Sequence, residues 1–509
     1  MSFSENLIKN ISSINSKYDL IAYCYYYLIN TVKNQIIFLG EYIEINNNEQ
    51  KDNPNFQMLS LFAINIKKFF KQNFISNFLE ETSKSKMVDL IVSAEKCLKN
   101  FGDASMNDAT VPFFILKGLD LYFQDCIYET YKFSPLNNYC KDFCLIYIHS
   151  NLSIMDKIID EKNYADTIHK NEIRSYFKHI IILETCELPR NYGIPNLITL
   201  QKNETNLQKI LDTKKVKVAL IPTMCEKWFD FHIRQGASFE IKYDNHALEA
   251  VVDRVISLLK WAIECKANII VFPEYICSEE IQIKISETLS EFSGTEPEKL
   301  KDLFFVVAGS AWTKDSNNVS YIYDEDGLLL GKVYKYSAYD NHKNGIKYVE
   351  RLQDPGKEIT LIKVPGFGIF QTEICRNVSE NEFCLRLAKV FDTQFLLITA
   401  WSSSVNIGFK KQIDAIVSSN HKTCTVMSNS CAAFSDCEDF RTQLGIVAAP
   451  QKNKSLIEAN YENIIRDRQQ CIDSCENGCI FEINFDFNGD EVNDVVIKSD
   501  FKKLEKGKS

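Results

Sequence analysis

The chain has 509 residues, 45% of them hydrophobic and 12% aromatic, with a formal net charge of −10 at pH 7. This length predicts two or three domains, and the apolar content can fill large cores, which excludes a globally disordered protein. An acidic chain lacks the basic footprint of a general nucleic-acid-binding protein, so a nucleic-acid partner is not expected.

Seventeen cysteines are scattered along the chain. The N-terminal residues contain no apolar core of a secretory signal, so we expect free thiols and a cytoplasmic location. The longest apolar stretch near the N-terminus, residues 20–29, is too short to span a bilayer. We interpret it as a buried helix and predict no membrane association.

The first part of the chain is predicted to be mainly helical. Residues 1–45 are typical of one or two helices. Apolar side chains then recur every four positions, which predicts a core-facing helical stripe formed by Phe62, Ile66, Phe70, Phe74 and Phe78. Two more helices are predicted over 86–101 and 111–131. The apolar runs at 142–159 and 175–188 fit either a buried helix or a strand.

A loop rich in proline and glycine at 186–196, followed by a short helix, separates this part from the rest. We therefore predict a mainly helical N-terminal domain over 1–212, of unknown role, which could bind a protein partner. From 213 to 509, strand-like runs paired with helical ones predict an α/β domain. It includes a hairpin that turns at Asp326 and Gly327. A long polar stretch at 225–245 is interpreted as a surface insertion rather than a lid.

Three of the strand-like runs each deliver one reactive side chain. Glu274 follows the run NIIVFP, and Pro273 disfavours helical geometry before it, so the carboxylate is expected at a strand end. Lys335 follows the hairpin, and Cys375 ends the run FGIFQTEI. Each residue has an ordinary alternative interpretation: a solvated carboxylate, a surface lysine or a buried inert thiol.

The order of these motifs resembles that of the carbon–nitrogen hydrolase (nitrilase/amidase) superfamily over about residues 215–490. A strand–Pro–Glu run is followed by AGS, by N-x4-Y-D-x-D-G-x3-G-x3-K, by ERLQDPG and by G-x6-C. The resemblance implies a nitrilase-like αββα sandwich that commonly forms homodimers. It also implies a small-molecule substrate, an amide more than a nitrile, and no metal or organic cofactor.

Carried over by position, the resemblance implies a role for each reactive residue. Glu274 would be the general base, Lys335 would stabilise an oxyanion, Cys375 would be the nucleophile, and Glu350 would hold Lys335. Attack of the thiolate on an amide gives a thioester, which water then hydrolyses. A neighbouring lysine and a helix start are expected to lower the pKa of Cys375 and to make it the most reactive thiol.

Candidate substrate-binding residues flank the reactive ones: Tyr275, Arg376, Asn377 and Trp401. Asn377 departs from the family pattern, which often has an aspartate two residues after the cysteine. Acyl transfer to an amine is an open alternative, because it uses the same thioester with a different acceptor. A nitrilase-fold sensor or scaffold without catalysis is the other alternative, and the intact set of reactive residues disfavours it.

Other motifs are absent or do not match known sites. The chain has no phosphate-binding glycine loop and no SGG motif, which argues against a glutamine-dependent synthetase fused to an ATP-using domain. Cys471, Cys475 and Cys479 follow neither zinc nor iron–sulfur spacing, so we interpret them as ordinary thiols.

Overall fold

The structure is a computed structural model of the chain. It describes residues 3–10, 14, 17–31, 54–73, 81–98, 104–123, 144–148, 177, 180–184, 193–202, 204–222, 229–234, 238–243, 247–276, 278–313, 317–343, 346–379, 382–402, 405–420, 422–431, 441–453, 456–467, 478–487 and 495–503. These residues fall into two compact units, one formed by those up to 184 and the other by those from 193 onward.

The first unit is built from helices and one small sheet. Its described elements are α1 (Phe3–Asn10), α2 (Lys17–Thr31), α3 (Pro54–Asn73), α4 (Glu81–Leu98), α5 (Ala104–Phe123), β1 (Cys144–Ile148) and β2 (Ile180–Glu184). The two strands pair antiparallel and come from the two runs that fit either helix or strand. Their isoleucines are β-branched, which favours the extended conformation.

The helical stripe is buried as far as the described residues extend. Its first three members, Phe62, Ile66 and Phe70, are buried on α3, and its last two lie outside the described residues. α5 approaches α3 closely at Gly118, where a Cβ atom would come within 2.5 Å of the Ile66 side chain. The absence of a side chain at this glycine therefore allows the two helices to pack closely.

The second unit contains three sheets. Its strands are β3 (Pro195–Thr199), β4 (Lys215–Leu220), β5 (Phe229–Arg234), β6 (Ser238–Tyr243), β7 (Ile269–Val271), β8 (Phe305–Trp312), β9 (Asn318–Asp324), β10 (Leu329–Tyr334), β11 (Asp340–Lys343), β12 (Ile346–Glu350), β13 (Ile359–Val364), β14 (Gly368–Ile374), β15 (Phe395–Ala400), β16 (Cys424–Asn429), β17 (Arg441–Asn453), β18 (Leu456–Asp467), β19 (Cys479–Asp486) and β20 (Val496–Lys503). The first seven-stranded sheet has the order β10-β9-β8-β7-β4-β19-β20, and the second has the order β18-β17-β16-β15-β14-β13-β3. A smaller sheet has the order β11-β12-β6-β5.

Helices cover the outer faces of the two large sheets. They are α7 (Leu248–Glu264), α8 (Glu279–Thr295), α9 (Pro297–Leu300), α10 (Arg376–Ser379), α11 (Glu382–Val390) and α12 (Val405–Asn420). The preceding helix, α6 (Glu204–Thr213), instead packs Leu207 and Ile210 into the apolar core of the inner faces. α7 and α8 pack against the first sheet, and α11 and α12 pack against the second. None of the helices in the described part of the chain is both long and apolar enough to cross a membrane.

The inner faces of the two large sheets share one apolar core, which includes Val218 of the first sheet and Phe370 of the second. Side chains along β15 alternate in the manner of an extended strand. Leu397 faces the shared core, whereas Leu396 and Ile398 face the helices on the other side. The layers therefore follow the order helix–sheet–sheet–helix.

The division between the two units lies earlier in the chain than the predicted boundary at 212–213. β3 pairs in parallel with β13 and forms an edge of the second large sheet. Leu197 of β3 is buried in this position. Residues 193–212, which the sequence assigns to the helical domain, therefore belong to the α/β unit.

The stretch at 225–245 is not a simple surface insertion. Its described residues form β5 and β6, which pair antiparallel, and β6 pairs in parallel with β12. Phe239 of β6 is only 1% exposed. The interpretation as a surface insertion is therefore wrong, because this hairpin supports the strand that ends at Glu350.

Cys471 and Cys475 lie outside the described residues, and Cys479 is a buried free thiol in β19.

Candidate active site

Glu274 lies in a tight turn directly after β7. The next residue, Tyr275, has a φ of 65°, a left-handed conformation that costs a non-glycine residue about 1–3 kcal/mol. Gly309 of β8 makes room for the turn, because a Cβ atom there would come within 2.2 Å of the Pro273 carbonyl oxygen. The surroundings thus hold the Glu274 turn in one conformation.

Lys335 follows β10 and lies between two carboxylates. Its Nζ atom is 2.7 Å from Glu274 Oε1 and 2.7 Å from Glu350 Oε2. The three side chains are each at most 1% exposed, so both ion pairs are fully buried. Buried charges persist only when they are paired and hydrogen-bonded, which fixes the relative positions of these three groups.

The Glu274 carboxylate is bonded to both large sheets. The Trp401 backbone N–H, which follows β15, donates to Glu274 Oε2 at 2.9 Å. Asn318 at the start of β9 donates through Nδ2 to Glu274 Oε1 at 2.8 Å. The position of this carboxylate therefore depends on the packing of the two sheets.

The Glu350 carboxylate has three hydrogen-bond donors besides Lys335. The Tyr275 hydroxyl donates to Oε1 at 3.0 Å, and Asn318 Nδ2 donates to the same oxygen at 3.1 Å. The Tyr339 backbone N–H donates to Oε2 at 2.9 Å. Asn318 thus bridges both carboxylates; it is the first residue of the N-x4-Y-D motif, to which sequence reasoning assigned no role.

Cys375 lies between β14 and α10 in a strained conformation, with a φ of 42°. Its Sγ atom is 3.8 Å from the Trp401 carbonyl oxygen, and the charge of the nearby Glu274 raises the pKa of the thiol. Its backbone N–H donates to the Thr399 carbonyl oxygen at 2.8 Å. That N–H is therefore not available to stabilise an oxyanion. The structure thus brings Glu274, Lys335, Glu350 and Cys375 together.

Burial dominates the acidity of Cys375. Burial and the charge of Glu274 raise the pKa of the thiol well above its ordinary value, and Lys335 lowers it only in part. The adjacent helix α10 has only four residues, which is too short for a substantial dipole. The expectation that Lys335 and a helix start lower the pKa of Cys375 is therefore wrong, and the thiol is protonated at neutral pH.

The pKa of Glu274 suits proton transfer, and the pKa of Lys335 suits charge stabilisation. Burial raises the pKa of Glu274, Lys335 lowers it and Glu350 raises it, with a net increase. Burial disfavours the charged form of Lys335, but Glu274 and Glu350 outweigh burial and raise the pKa of the lysine. Lys335 therefore stays charged, and Glu274 holds a proton at higher pH than a solvated glutamate does.

Tyr275 and Trp401, two of the candidate substrate-binding residues, lie beside this network. Their rings meet edge to face with centroids 5.3 Å apart, and Lys335 Nζ lies 6.0 Å from the Tyr275 ring centroid. Phe239 packs with them in an aromatic cluster that sequence reasoning missed. The cluster borders the carboxylates with apolar surface, which strengthens the electrostatic interactions inside.

The side chain of Arg376, the residue after Cys375, forms an ion pair with Asp340. Its guanidinium donates to Asp340 and lies 5.7 Å from the Tyr339 ring centroid. Lys347 pairs with the same carboxylate at 2.6 Å. Hydrogen bonds from Lys347 and Arg376 lower the pKa of Asp340 to about 2. The positive charge of Arg376, the residue after Cys375, is thus partly neutralised by the Asp340 carboxylate.

Asn377 is fully buried and contacts the segment that follows Lys335. Its Oδ1 atom accepts hydrogen bonds from the backbone N–H groups of Tyr336 and Ser337, both at 3.0 Å. This placement gives Asn377 a supporting position beside the lysine.

The described residues contain no group of three or more side chains that could hold a metal ion. Glu274 and Glu350 together could attract a cation, but the Lys335 ammonium already lies between them.

No protein-family model matches the sequence, and a search of curated proteins finds no match. Solved structures with a similar fold cover about half of the chain. The NitFhit protein of C. elegans is 15% identical, with a TM-score of 0.32, over 50% of this chain and 62% of that one. A glutamine-dependent NAD+ synthetase from Acinetobacter baumannii is 14% identical, with a TM-score of 0.33, over 54% of this chain and 46% of that one.

An amidase from Nesterenkonia sp. is 12% identical, with a TM-score of 0.30, over 50% of this chain and 92% of that one. The chain thus spans less than two thirds of the NitFhit protein and of the synthetase.

Proposed function

We propose that the second unit hydrolyses a non-peptide C–N bond, an amide rather than a nitrile, through a thioester on Cys375. The observation that carries this proposal is the buried network in which Lys335 Nζ lies 2.7 Å from both carboxylates. Glu274 also lies close enough to the Cys375 thiol for its charge to raise the pKa of the thiol. A nucleophile, a base within hydrogen-bond reach and a cation are the groups that cysteine-mediated acyl transfer requires.

In the first step, Cys375 enters as a neutral thiol and Glu274 accepts its proton as Sγ attacks the carbonyl carbon. The new S–C bond forms while the carbonyl π electrons move to oxygen. The Lys335 ammonium stabilises the resulting oxyanion, an effect worth about 3 kcal/mol for one well-placed donor.

In the second step, the oxyanion collapses and Glu274 donates its proton to the leaving nitrogen, so the C–N bond breaks. The raised pKa of Glu274 supports this step, because the carboxyl can hold the proton until the nitrogen needs it. A nitrile expels no amine at this stage, which is why the arrangement favours an amide. Glu274 then takes a proton from water as the water oxygen forms a bond to the thioester carbon. When the S–C bond breaks, Glu274 returns this proton to sulfur, which releases the acid and restores the thiol.

Glu350 acts through Lys335 and transfers no proton. It accepts from the ammonium, from Tyr275, from Asn318 and from the Tyr339 N–H, so both of its oxygens are occupied. A role in holding the lysine is consistent with this set of partners.

Acyl transfer to an amine remains an alternative, because the same thioester can react with either acceptor. A sensor or scaffold without catalysis is disfavoured by the buried network. Two carboxylates and a lysine are costly to keep in a core, and an apolar cluster of similar volume would be at least as stable.

The test is an assay of the full-length protein with a panel of amides and nitriles, in which released ammonia and amine products are measured. Replacing Cys375 by serine should lower kcat/KM by at least about 10³-fold, because the hydroxyl is far less readily ionised. The matched control is Cys424→Ser, a second buried thiol that lies in the core between the two large sheets, which should retain activity.

Intact-protein mass spectrometry gives a second readout. Glu274→Gln removes the base of the deacylation step, so an acyl adduct should persist on Cys375 in this variant after incubation with a reactive amide. Addition of a primary amine to the parent distinguishes hydrolysis from acyl transfer by its products. If Cys375→Ser and Glu274→Gln both keep the parent's biological activity, the unit is a scaffold.

Three assignments concern the whole protein and stay predictions. We expect a homodimer formed through the second unit, a regulatory or partner-binding role for the first unit, and a cytoplasmic location. Light scattering of the full chain and of a fragment lacking the first unit tests the predicted dimer.

A further inference from the structure

Two buried polar residues flank Cys375 at equal distances along the chain. Glu373 lies in β14, two residues before the cysteine, and Asn377 lies in α10, two residues after it. They are 1% and 0% exposed. Asn377 Nδ2 donates to Glu373 Oε2 at 3.0 Å, so a hydrogen bond joins the residues on either side of Cys375 in the chain.

The other end of the Asn377 amide reaches the lysine segment. Its Oδ1 atom accepts from the N–H groups of Tyr336 and Ser337, which directly follow Lys335 and lie outside any strand. The hydrogen bonds therefore form a continuous path from the strand that carries the thiol to the segment that carries the ammonium.

Glu373 determines which way the Asn377 amide points. A carboxylate is only an acceptor, so it must face the NH2 end of the amide, and the carbonyl end must then face Tyr336 and Ser337. Gln371 Nε2 donates to the other Glu373 oxygen at 2.8 Å. Because each oxygen of the carboxylate accepts from a buried amide, Glu373 has little freedom to move.

Retaining an acidic group at this position has a cost. Burial raises the pKa of Glu373 to about 7, although the hydrogen bonds from Gln371 and Asn377 lower it in part. Burial of a neutral glutamine would cost less free energy. A glutamine could, however, bond to either end of the Asn377 amide, so it would not determine which way that amide points.

We propose that Glu373 is a positioning residue that orients the Asn377 amide, which in turn holds Lys335 at a fixed distance from Cys375. This inference rests on the proposed function, because it assigns Glu373 and Asn377 a part in aligning its nucleophile and its cation.

The test exchanges the acceptor and the donor between the two positions. Asn377→Asp places a second carboxylate against Glu373, and Glu373→Gln removes the acceptor that orients the amide. In the double variant, the new glutamine can donate to the new aspartate, which still accepts from Tyr336 and Ser337. Gln371 can still donate to the oxygen of the new glutamine. The double variant thus restores every bond of the path with the same net charge.

Two readouts are measured on the full-length variants. The rate of Cys375 alkylation by iodoacetamide, followed by peptide mass spectrometry as a function of pH, reports the electrostatic effect of Lys335 on the thiol without a substrate. For an amide that the parent hydrolyses, kcat and KM are measured separately. Each single variant should change the alkylation rate and lower kcat by about tenfold or more, with KM nearly unchanged. The double variant should return both rates to within about threefold of the parent.

Glu482→Gln is the control, because it neutralises another buried carboxylate that pairs with Lys502 in β20. It should leave Cys375 alkylation at the parental rate. The inference is overturned if the single variants alkylate at the parental rate, or if the double variant is no better than the worse single one. If the parent hydrolyses no amide, the proposed function fails, but the alkylation rates still decide whether the two residues position Lys335.

Discussion

The reactivity of the Cys375 thiol depends on two opposite charges as well as on burial. Glu274 raises the pKa of the thiol and Lys335 lowers it. Glu274→Gln removes the negative charge, so the pKa of Cys375 should fall. The inflection in its iodoacetamide alkylation rate should move to lower pH by about one unit or more. The rate of amide hydrolysis should nevertheless fall by about 10²–10⁴-fold, because the proton acceptor is lost.

Peptide mass spectrometry over a pH series measures the alkylation, and an ammonia assay measures the hydrolysis. Glu482→Gln serves as the comparison, because Glu482 is a buried carboxylate that pairs with Lys502 and not with Lys335. An unchanged alkylation profile in Glu274→Gln would mean that this carboxylate does not face the thiol in solution.

Glu373 should make stability depend on pH. Burial raises its pKa from the ordinary value of 4.5 to about 7 in the folded protein. Between these values the folded state binds a proton that the unfolded state has released. The stabilisation is therefore complete below about pH 4.5, declines as the pH rises and is lost above about 7. Its total is on the order of 3 kcal/mol.

In the Glu373→Gln variant, the side chain at position 373 binds no titrating proton. The difference in free energy of unfolding between parent and variant should therefore drift in one direction from pH 4.5 to 7 and then level off. Denaturant unfolding at several pH values measures it, with Glu482→Gln as the control. Parallel curves for parent and Glu373→Gln across this window would show that Glu373 titrates normally.

Sequence reasoning selected side chains that the structure brings together, because residue type and a strand end are both visible in the chain. It did not find the role of Asn318, since that role depends on two carboxylates that are distant in sequence. It also misjudged the pKa of Cys375. A neighbouring lysine can be inferred from a motif, but the extent of burial that outweighs it is a property of the packed core.

At the scale of elements, the turn after β7 depends on one glycine of β8. Gly309 has a φ of +78°, and a Cβ atom there would lie 2.2 Å from the Pro273 carbonyl oxygen. Gly309→Ala should therefore displace the Glu274 turn, lower stability by more than about 1 kcal/mol and reduce activity further than that loss explains.

Gly294 in α8 is a matched control, because an added Cβ would meet nothing within 4 Å. Gly294→Ala should stabilise the protein by about 0.4–1 kcal/mol by restricting the unfolded chain. Thermal unfolding and the amide assay on both variants measure these effects. Similar behaviour of the two variants would show that the β8 contact does not hold the turn.

The strands that sequence reasoning missed had weak or misread signals. β3 is only five residues long and follows a loop rich in proline and glycine, so it was assigned to the connection. β5 carries Phe229, Phe231 and Ile233 at alternating positions, a period of two that indicates a strand. Flanking polar residues obscured this pattern. The long buried runs of the large sheets were recognised because their apolar content is continuous.

At the scale of the whole molecule, β3 determines where the second unit can be separated from the first. A fragment of residues 188–509 keeps β3 on β13, whereas a fragment of 213–509 exposes the edge of β13. We expect the longer fragment to be monodisperse and to melt cooperatively. The shorter one should melt at lower temperature and aggregate, because an uncovered edge strand pairs with other chains.

Size-exclusion chromatography and thermal melting of the two fragments measure the difference. Equal behaviour would mean that β3 adds nothing to the stability of the sheet. Aggregation of both, with the full chain well behaved, would mean that the α/β unit does not fold alone.

The position of Lys335 between two carboxylates has a stereochemical consequence. An ammonium group has three N–H bonds, and the contacts at 2.7 Å to Glu274 and Glu350 use two of them. Because the group is tetrahedral, fixing two bonds also fixes the direction of the third. On the proposed function, this third N–H marks the position of the carbonyl oxygen, and Cys375 fixes the side from which sulfur attacks. Because Glu274 must also reach the leaving nitrogen, only one face of a planar amide can satisfy all three groups, so every amide substrate should present the same carbonyl face to the sulfur.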